Sequence, residues 1–321
     1  MKRTVSIIIP VWNAEKYLKK CLSSALGQTY RDIEVIVIND ASTDSTGAII
    51  GQYASIDSRL KVITNWENTG VGLSRRAGLS LACGEYIIFL DADDWLEPYM
   101  CACMAAAAEK TGADMIRCGS NIIAGNPDSP IAGKRHVSWE DTKNMDGLHK
   151  TGIELIASSS KMLWGALFRK DLIDKYSLTF PDMRIGEDEY FVLCYLLAAK
   201  DIFFTGRKLY NHLKREDSLV ALNVASCVPE REMDRFSLLA MVCEFAKQAG
   251  LTERYGVLNE IYYRILHSVL DNILTMARKC LQNSLSKTDI NILFPAHFSL
   301  LPAICYNKPH DKDYLCGNAQ T

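Results

Sequence analysis

The chain has 321 residues, 48% of them hydrophobic and 23% charged, with 36 basic against 38 acidic side chains and a formal charge of −2. These are the proportions of a globular protein, which excludes a fibrous repeat or a disordered chain, and the length suits one large core domain with a smaller appendage. The near balance of charge excludes a global field for gathering nucleic acid or an anionic membrane, so any anion site must be local.

From the N-terminus, Val5-Ser6-Ile7-Ile8-Ile9 reads as a strand, Leu18, Cys21, Leu22, Ala25 and Leu26 recur at helical spacing, and Ile33 to Ile38 is a second β-branched run. A helix after Asp44, a strand at Lys61-Val62-Ile63, a helix from Gly72 to Cys83 and an apolar strand from Tyr86 to Leu90 continue the βαβ rhythm. Strands apolar on both sides predict a mostly parallel sheet covered on both faces, an α/β class. After Ser120 the alternation weakens, and the stretch from Ala124 to Lys150 carries Gly, Pro, Asp and Asn without periodicity, the mark of a loop. A helix from Glu187 to Ala199 and a strand Ile202-Phe203-Phe204 follow. Beyond Asn223 the pattern is helical, with a long amphipathic helix marked by residues from Leu258 to Leu274.

Eleven cysteines are scattered through apolar stretches, and Cys101 and Cys103 lack the paired spacing of a zinc site, so helix packing is their expected role. The opening segment meets Asn13 too early for a signal peptide, and no apolar run approaches the ~20 residues of a spanning helix. A reducing cytoplasm is the setting these features predict.

In parallel sheets the ligand crevice lies beyond the carboxyl ends of the strands. Three predicted strands end in polar clusters there: Pro10-Val11-Trp12-Asn13, Asn39-Asp40-Ala41-Ser42-Thr43-Asp44 and Asp91-Ala92-Asp93-Asp94. Asp91 and Asp93, just past a buried strand, suit a hard divalent cation completed by phosphate oxygens; the alternative is a turn capping the next helix. Asp40 can accept from the imide N–H of a uracil ring or serve a cap, a role open also to Ser42 and Asp44. Arg75 and Arg76 open a helix after Asn68-Thr69-Gly70-Val71-Gly72, where a guanidinium meets phosphate or faces solvent. Glu187 and Asp188 open another helix. There the macrodipole alone favours them, or one of them removes the proton of an acceptor hydroxyl. The stretch from Lys208 to Ser218 gathers His, Lys and Arg and can close over a diphosphate, with His212 either a metal ligand or a packed histidine.

Taken in order, SIIIPVWNAEKYLKKCLSSALGQTYRDIEVIVINDASTDST and ENTGVGLSRRAGLSLACGEYIIFLDADDWLEP resemble the family 2 glycosyltransferases of the GT-A fold. The resemblance is close to about residue 120 and looser to about residue 220, which divides the chain into a GT-A domain at 1–220 and a helical C-terminal region at 221–321. It implies an inverting transferase using a nucleotide-diphosphate sugar, a UDP-sugar by preference, with Mn2+ or Mg2+. Asp40 would recognise the base, Asp91 lie near the ribose and the metal, Asp93 hold the metal and Asp188 act as general base. Pro10, Asn13, Asn68, Gly72, Arg75 and Ala92 would line the donor pocket, with Arg215 and Ser218 in a lid. His212 stands where an aromatic is commoner, and Ala166 where a lysine is frequent. The implied acceptor is a saccharide or lipid-linked saccharide of polysaccharide biosynthesis, with peripheral membrane contact and a homodimer through the C-terminal helices as further expectations by family.

Other classes fit less well. A dinucleotide-dependent oxidoreductase needs glycines in the first turn, and Pro10 to Ala14 contains none. An aspartyl phosphohydrolase places Thr or Val where Trp95 stands. A catalytically inactive nucleotide-sugar-binding scaffold is the remaining alternative, and Asp91, Asp93 and Asp188 argue against it.

Overall fold

The structure is a computed structural model; it describes residues 4–124, 134–135, 147–151, 162–183, 186–214 and 229–251, all within one compact unit. The expected alternation opens the chain as β1 (Val5–Val11), α1 (Leu18–Leu26), β2 (Ile33–Asn39), α2 (Thr46–Ile56), β3 (Leu60–Thr64), α3 (Val71–Leu81) and β4 (Tyr86–Phe89). It continues through β5 (Trp95–Leu96), α4 (Met100–Thr111), β6 (Met115–Ala124), β7 (Lys134–Arg135), β8 (His149–Lys150) and β9 (Ala166–Arg169). The described chain finishes with α5 (Lys170–Lys175), α6 (Glu187–Ala198), β10 (Ile202–Lys214) and α7 (Pro229–Gln248).

One sheet runs β3-β2-β1-β4-β9-β6-β10-β5, with β7 joined to β6 and β8 to β10. Strands β1 to β4 pair in parallel, as do β6 and β10, whereas β9 enters antiparallel between β4 and β6. Every residue of β1 and β2 is buried, so both faces of these strands are covered. Side chains alternate between the faces. Val5, Ile7 and Ile9 join a core with Leu18 and Leu22 of α1 and Ile49 and Ile50 of α2. The opposite face takes α3, where a Cβ on Gly78 would stand 2.5 Å from Ile8 Cγ2 and 2.6 Å from Ile38 Cδ1. Beside α3, that face is completed by edge-to-face and stacked rings of Phe89, Phe168, Phe180 and Phe191.

The amino end of the sheet is tied by one buried carboxylate. Glu34 accepts from Ser6 Oγ, from the N–H groups of Cys83 (2.7 Å) and Gly84 (3.1 Å) and from Lys61 Nζ (2.7 Å). Burial opposes its charge, but the Lys61, Ser6 and Cys83 hydrogen bonds outweigh that and hold the carboxyl below its ordinary pKa. Gly84 has no alternative here, since a Cβ would fall 2.5 Å from Ser6 Oγ.

Two stretches differ from the sequence expectation. β10 runs to Lys214 instead of ending near Phe204, because a register shift between Phe204 and Lys208 absorbs the polar step at Gly206 (φ +63°) and lets pairing with β6 resume. The Ala124 to Lys150 stretch is not all loop: β7 pairs with Ile122 and Ile123, and β8 with Ile202 and Phe203. α7 carries buried Leu238, Leu239, Val242 and Ala246 and packs on α6 within the same compact unit. The long helix expected around Leu258 to Leu274 lies outside the described residues.

Candidate active site

The strand order reverses at β1: β2 and β3 extend to one side, β4 to the other. A crevice therefore opens between β1 and β4 at their carboxyl ends. Pairing of these two strands ends at Ile8 and Phe89. Val11 accepts from Asp40 N–H on the β2 side, so the neighbouring Pro10 turns its nitrogen toward β4, past the end of that ladder, and its missing N–H costs no sheet bond.

The loops after β1 and β2 are interlocked. Asn13, at φ +47°, donates its N–H to Ser42 Oγ (3.0 Å) and accepts from Thr43 N–H at Oδ1 (2.8 Å). Ala14 N–H donates to Thr46 Oγ1, Glu15 N–H to Asp44 Oδ2 and Ser45 N–H to Glu15 Oε2. Asp44 Oδ1 also accepts from Thr46 N–H at the start of α2, whose N-cap is Ser45. Asp40, 3% exposed, does not cap α2; it holds the loop after β3. Its Oδ1 accepts from Asn65 Nδ2 and from Thr69 through both N–H and Oγ1, and its Oδ2 accepts from Gly70 N–H at 2.8 Å. Asn68 Oδ1 shares that Gly70 donor. Gly70 (φ +90°) is the N-cap of α3, a backbone setting that suits glycine.

Arg75 is buried in α3 and spans two acidic segments. One terminal nitrogen donates to Asp91 Oδ1 (2.8 Å), the other to Glu187 Oε1 (2.9 Å). Desolvation works against the guanidinium, but Asp91, Asp188 and Glu187 more than restore it and raise its pKa. Arg76 is exposed. Glu187 is buried at the start of α6, and a Cβ on Gly72 would approach its Cγ to 2.8 Å. The absent side chain of Gly72 thus admits Glu187. Asp188 is half-buried and accepts from Glu189 N–H. Burial, then the nearby charge of Asp91 and Glu189, lifts its carboxyl above the ordinary aspartate range against the pull of Arg75.

In the acidic loop Asp91, Ala92 and Asp93 are half-buried, whereas Asp94 is buried and faces β10. Asp94 Oδ2 accepts from Tyr210 Oη (2.7 Å) and pairs with His212 Nδ1 (3.1 Å), and Oδ1 accepts from Leu213 N–H (2.7 Å). Trp164 stacks on Tyr210 and on His212, each at 5.4 Å. Burial disfavours the imidazolium, yet the Asp94 hydrogen bond and the charges of Asp94, Asp91 and Asp93 raise the His212 pKa. Sequence reasoning missed Asp94, Tyr210 and Trp164 as a group; the alternate spacing of Tyr210 and His212 along a strand was the available signal. Ala166 is buried opposite Arg117 in the β6–β9 ladder, where a lysine would face like charge. Arg215 and Ser218 lie outside the described residues.

With this geometry in place, the comparisons with known proteins are specific. A family model described as Glycosyl transferase family 2 matches residues 6–176. EpsH of Bacillus subtilis is 32% identical over 222 residues, covering 67% of this chain and 62% of EpsH. Glycosyltransferase GlyA of Streptococcus pneumoniae is 31% identical over 227 residues, covering 67% of this chain and 31% of GlyA. The chain thus spans less than two thirds of these relatives' own lengths. Among solved structures, S. aureus TarS 1-349 in complex with UDP-GlcNAc matches with a TM-score of 0.67 at 24% identity, covering 81% of this chain and 71% of that one. That likeness establishes the GT-A fold. Matched over more than half its length, with its polar clusters at the carboxyl edge of the sheet, the chain belongs to glycosyl transferase family 2.

Proposed function

We propose that this chain is an inverting glycosyltransferase that moves a sugar from a UDP-sugar to a hydroxyl of a saccharide or lipid-linked saccharide acceptor in bacterial glycan biosynthesis. The observation that carries the reading is the convergence, at one switch point, of the acidic loop after β4 and the acidic start of α6, both engaged by Arg75. TarS holds UDP-GlcNAc in a related fold, which supports the choice of UDP. On the donor side, Pro10, Asn13, Asn68 and Ala92 border the crevice in this reading. Asp40 Oδ2 accepts from Gly70 N–H and keeps lone-pair capacity for an imide N–H. Arg215 and Ser218 are assigned to the lid by the resemblance alone.

The acidic loop fits a divalent cation of the Mn2+ or Mg2+ type. Among the described residues no three His, Cys, Asp or Glu side chains form a ready cage, and such ions take one or two carboxylates, keep waters and accept phosphate oxygens. Asp93 and Asp91 would hold it. His212 pairs through Nδ1 with Asp94, and its Nε2 would serve as a ligand only with the ring neutral. When bound, the cation neutralises charge on the departing diphosphate. Asp188 accepts the proton of the acceptor hydroxyl, and its raised pKa brings it nearer the working pH of a general base.

Titration calorimetry with UDP tests the donor half: affinity is expected to rise with Mn2+ and to collapse in Asp93→Ala, and metal-independent binding would refute it. For the base, Asp188→Asn is expected to keep donor affinity while transfer falls by about 10²–10⁴-fold, measured as product formation. Near-normal turnover excludes that role. Among the described residues no helix is long and apolar enough to cross a membrane. A cytoplasmic site of action agrees with the free, mostly buried cysteines of the described residues. The C-terminal helices would form a homodimer contact, testable by sedimentation.

A further inference from the structure

Two adjacent carboxylates open α6, and the structure treats them differently. Glu187 is 6% exposed and its Oε1 is committed to Arg75, which is equally buried. The pair is enclosed by α3: a Cβ on Gly72 would lie 2.8 Å from Glu187 Cγ, 3.1 Å from its Cβ and 3.3 Å from the Pro181 carbonyl oxygen. The other arm of Arg75 holds Asp91 in the acidic loop. A single guanidinium thereby ties the start of α6 to the loop that follows β4, across 112 residues of sequence on one arm and 16 on the other. Asp188 is the more open of the two acids, and among the described residues its side chain accepts from its own helix, at Glu189 N–H. Its setting relative to the acidic loop therefore depends on what anchors the turn it sits in.

We infer that Glu187 is a positioning residue for the transfer reaction: through Arg75 it docks the first turn of α6 against α3 and the acidic loop, fixing where Asp188 stands, and it does not itself meet the acceptor. The inference rests on the reading of Asp188 as general base. It also reassigns Gly72 and Arg75 from the lining of the donor pocket to the frame between donor and acceptor sides. Among the described residues, the charged groups around Asp188 are Arg75 from α3, Asp91 from the acidic loop, and Glu187 and Glu189 from its own helix. Geometry at this distance matters for rate, since displacing a reacting group by about 1 Å can cost about 10²-fold.

Three variants of the full chain separate charge from placement. Glu187→Ala removes the anchor and is expected to lower kcat by about 10²-fold while the calorimetric Kd for UDP stays within about threefold. Glu187→Gln keeps an oxygen for Arg75 and is expected to recover kcat to within about tenfold of the parent. Its acid limb of the kcat–pH profile should lie at lower pH, because a negative charge beside Asp188 is gone and Arg75 has lost an anionic partner. Gly72→Ala leaves every charge in place, forces Glu187 aside, and is expected to lower kcat about tenfold or more with UDP affinity unchanged.

Parental kcat in Glu187→Ala overturns the inference. So does weakened UDP binding with intact kcat in Gly72→Ala, which returns that residue to the donor pocket. If Glu187→Gln loses transfer as completely as Asp188→Asn, Glu187 touches the acceptor and is no mere anchor. Retained transfer in Asp188→Asn defeats the underlying reading of the base instead, and is distinguishable because it is measured without touching Glu187. Should Glu187→Ala melt early, Gly72→Ala and the near-isosteric Glu187→Gln still decide the matter by their kcat at unchanged UDP affinity.

Discussion

Asp94 shows how much one side chain of an acidic run can differ from its neighbours. Asp91 and Asp93 are half-buried, but Asp94 is withdrawn from water and accepts from Tyr210 and Leu213 and pairs with His212 at the end of β10. Asp94→Asn would remove the buried charge that His212 pairs with, and unfolding in urea should register a loss of about 3 kcal/mol. The individual roles in this loop were only half legible in the sequence. A carboxylate just past an apolar strand announces a crevice residue, which is why Asp91, Asp93 and Asp40 stood out. Contacts across 118 residues to His212 or 112 to Glu187 leave no local trace, so the split of Asp94 from Asp93, and of Glu187 from Asp188, appears only in three dimensions.

At the scale of elements, close approach of α3 to the sheet depends on Gly78. Gly78→Ala would drive a methyl into Ile8 and Ile38, both in central strands with little room to move, and should cost about 1–3 kcal/mol by equilibrium unfolding. Strands β1, β2 and β4 were legible because both of their faces are apolar. Strands β6 and β9 were not, since β6 buries Arg117 and Ser120 and so breaks the apolar pattern. The true length of β10 was hidden by Gly206, Arg207 and Lys208, a polar interruption that a bulge accommodates without ending the strand.

For the molecule as a whole, the two ends of the sheet divide labour. The amino end is fastened by Glu34, whose depressed pKa means that its stabilisation is present above the ordinary glutamate range and is lost only as pH falls through the lower folded value. Toward the carboxyl end stands Asp188, the proposed base, whose raised pKa means that its charged form is lost at higher pH than that of Glu34. On acidification, transfer should therefore fail while the fold persists, which parallel measurements of kcat and far-UV circular dichroism against pH will check. Glu34→Gln should lower stability at neutral pH and flatten the acid arm of the unfolding curve. The clasp between residues 13–15 and 42–46 has a different consequence, for recombination. Each segment supplies donors and acceptors that the other consumes, so a chimera that imports either one alone inherits mismatched halves, whereas both together form a transplantable cassette.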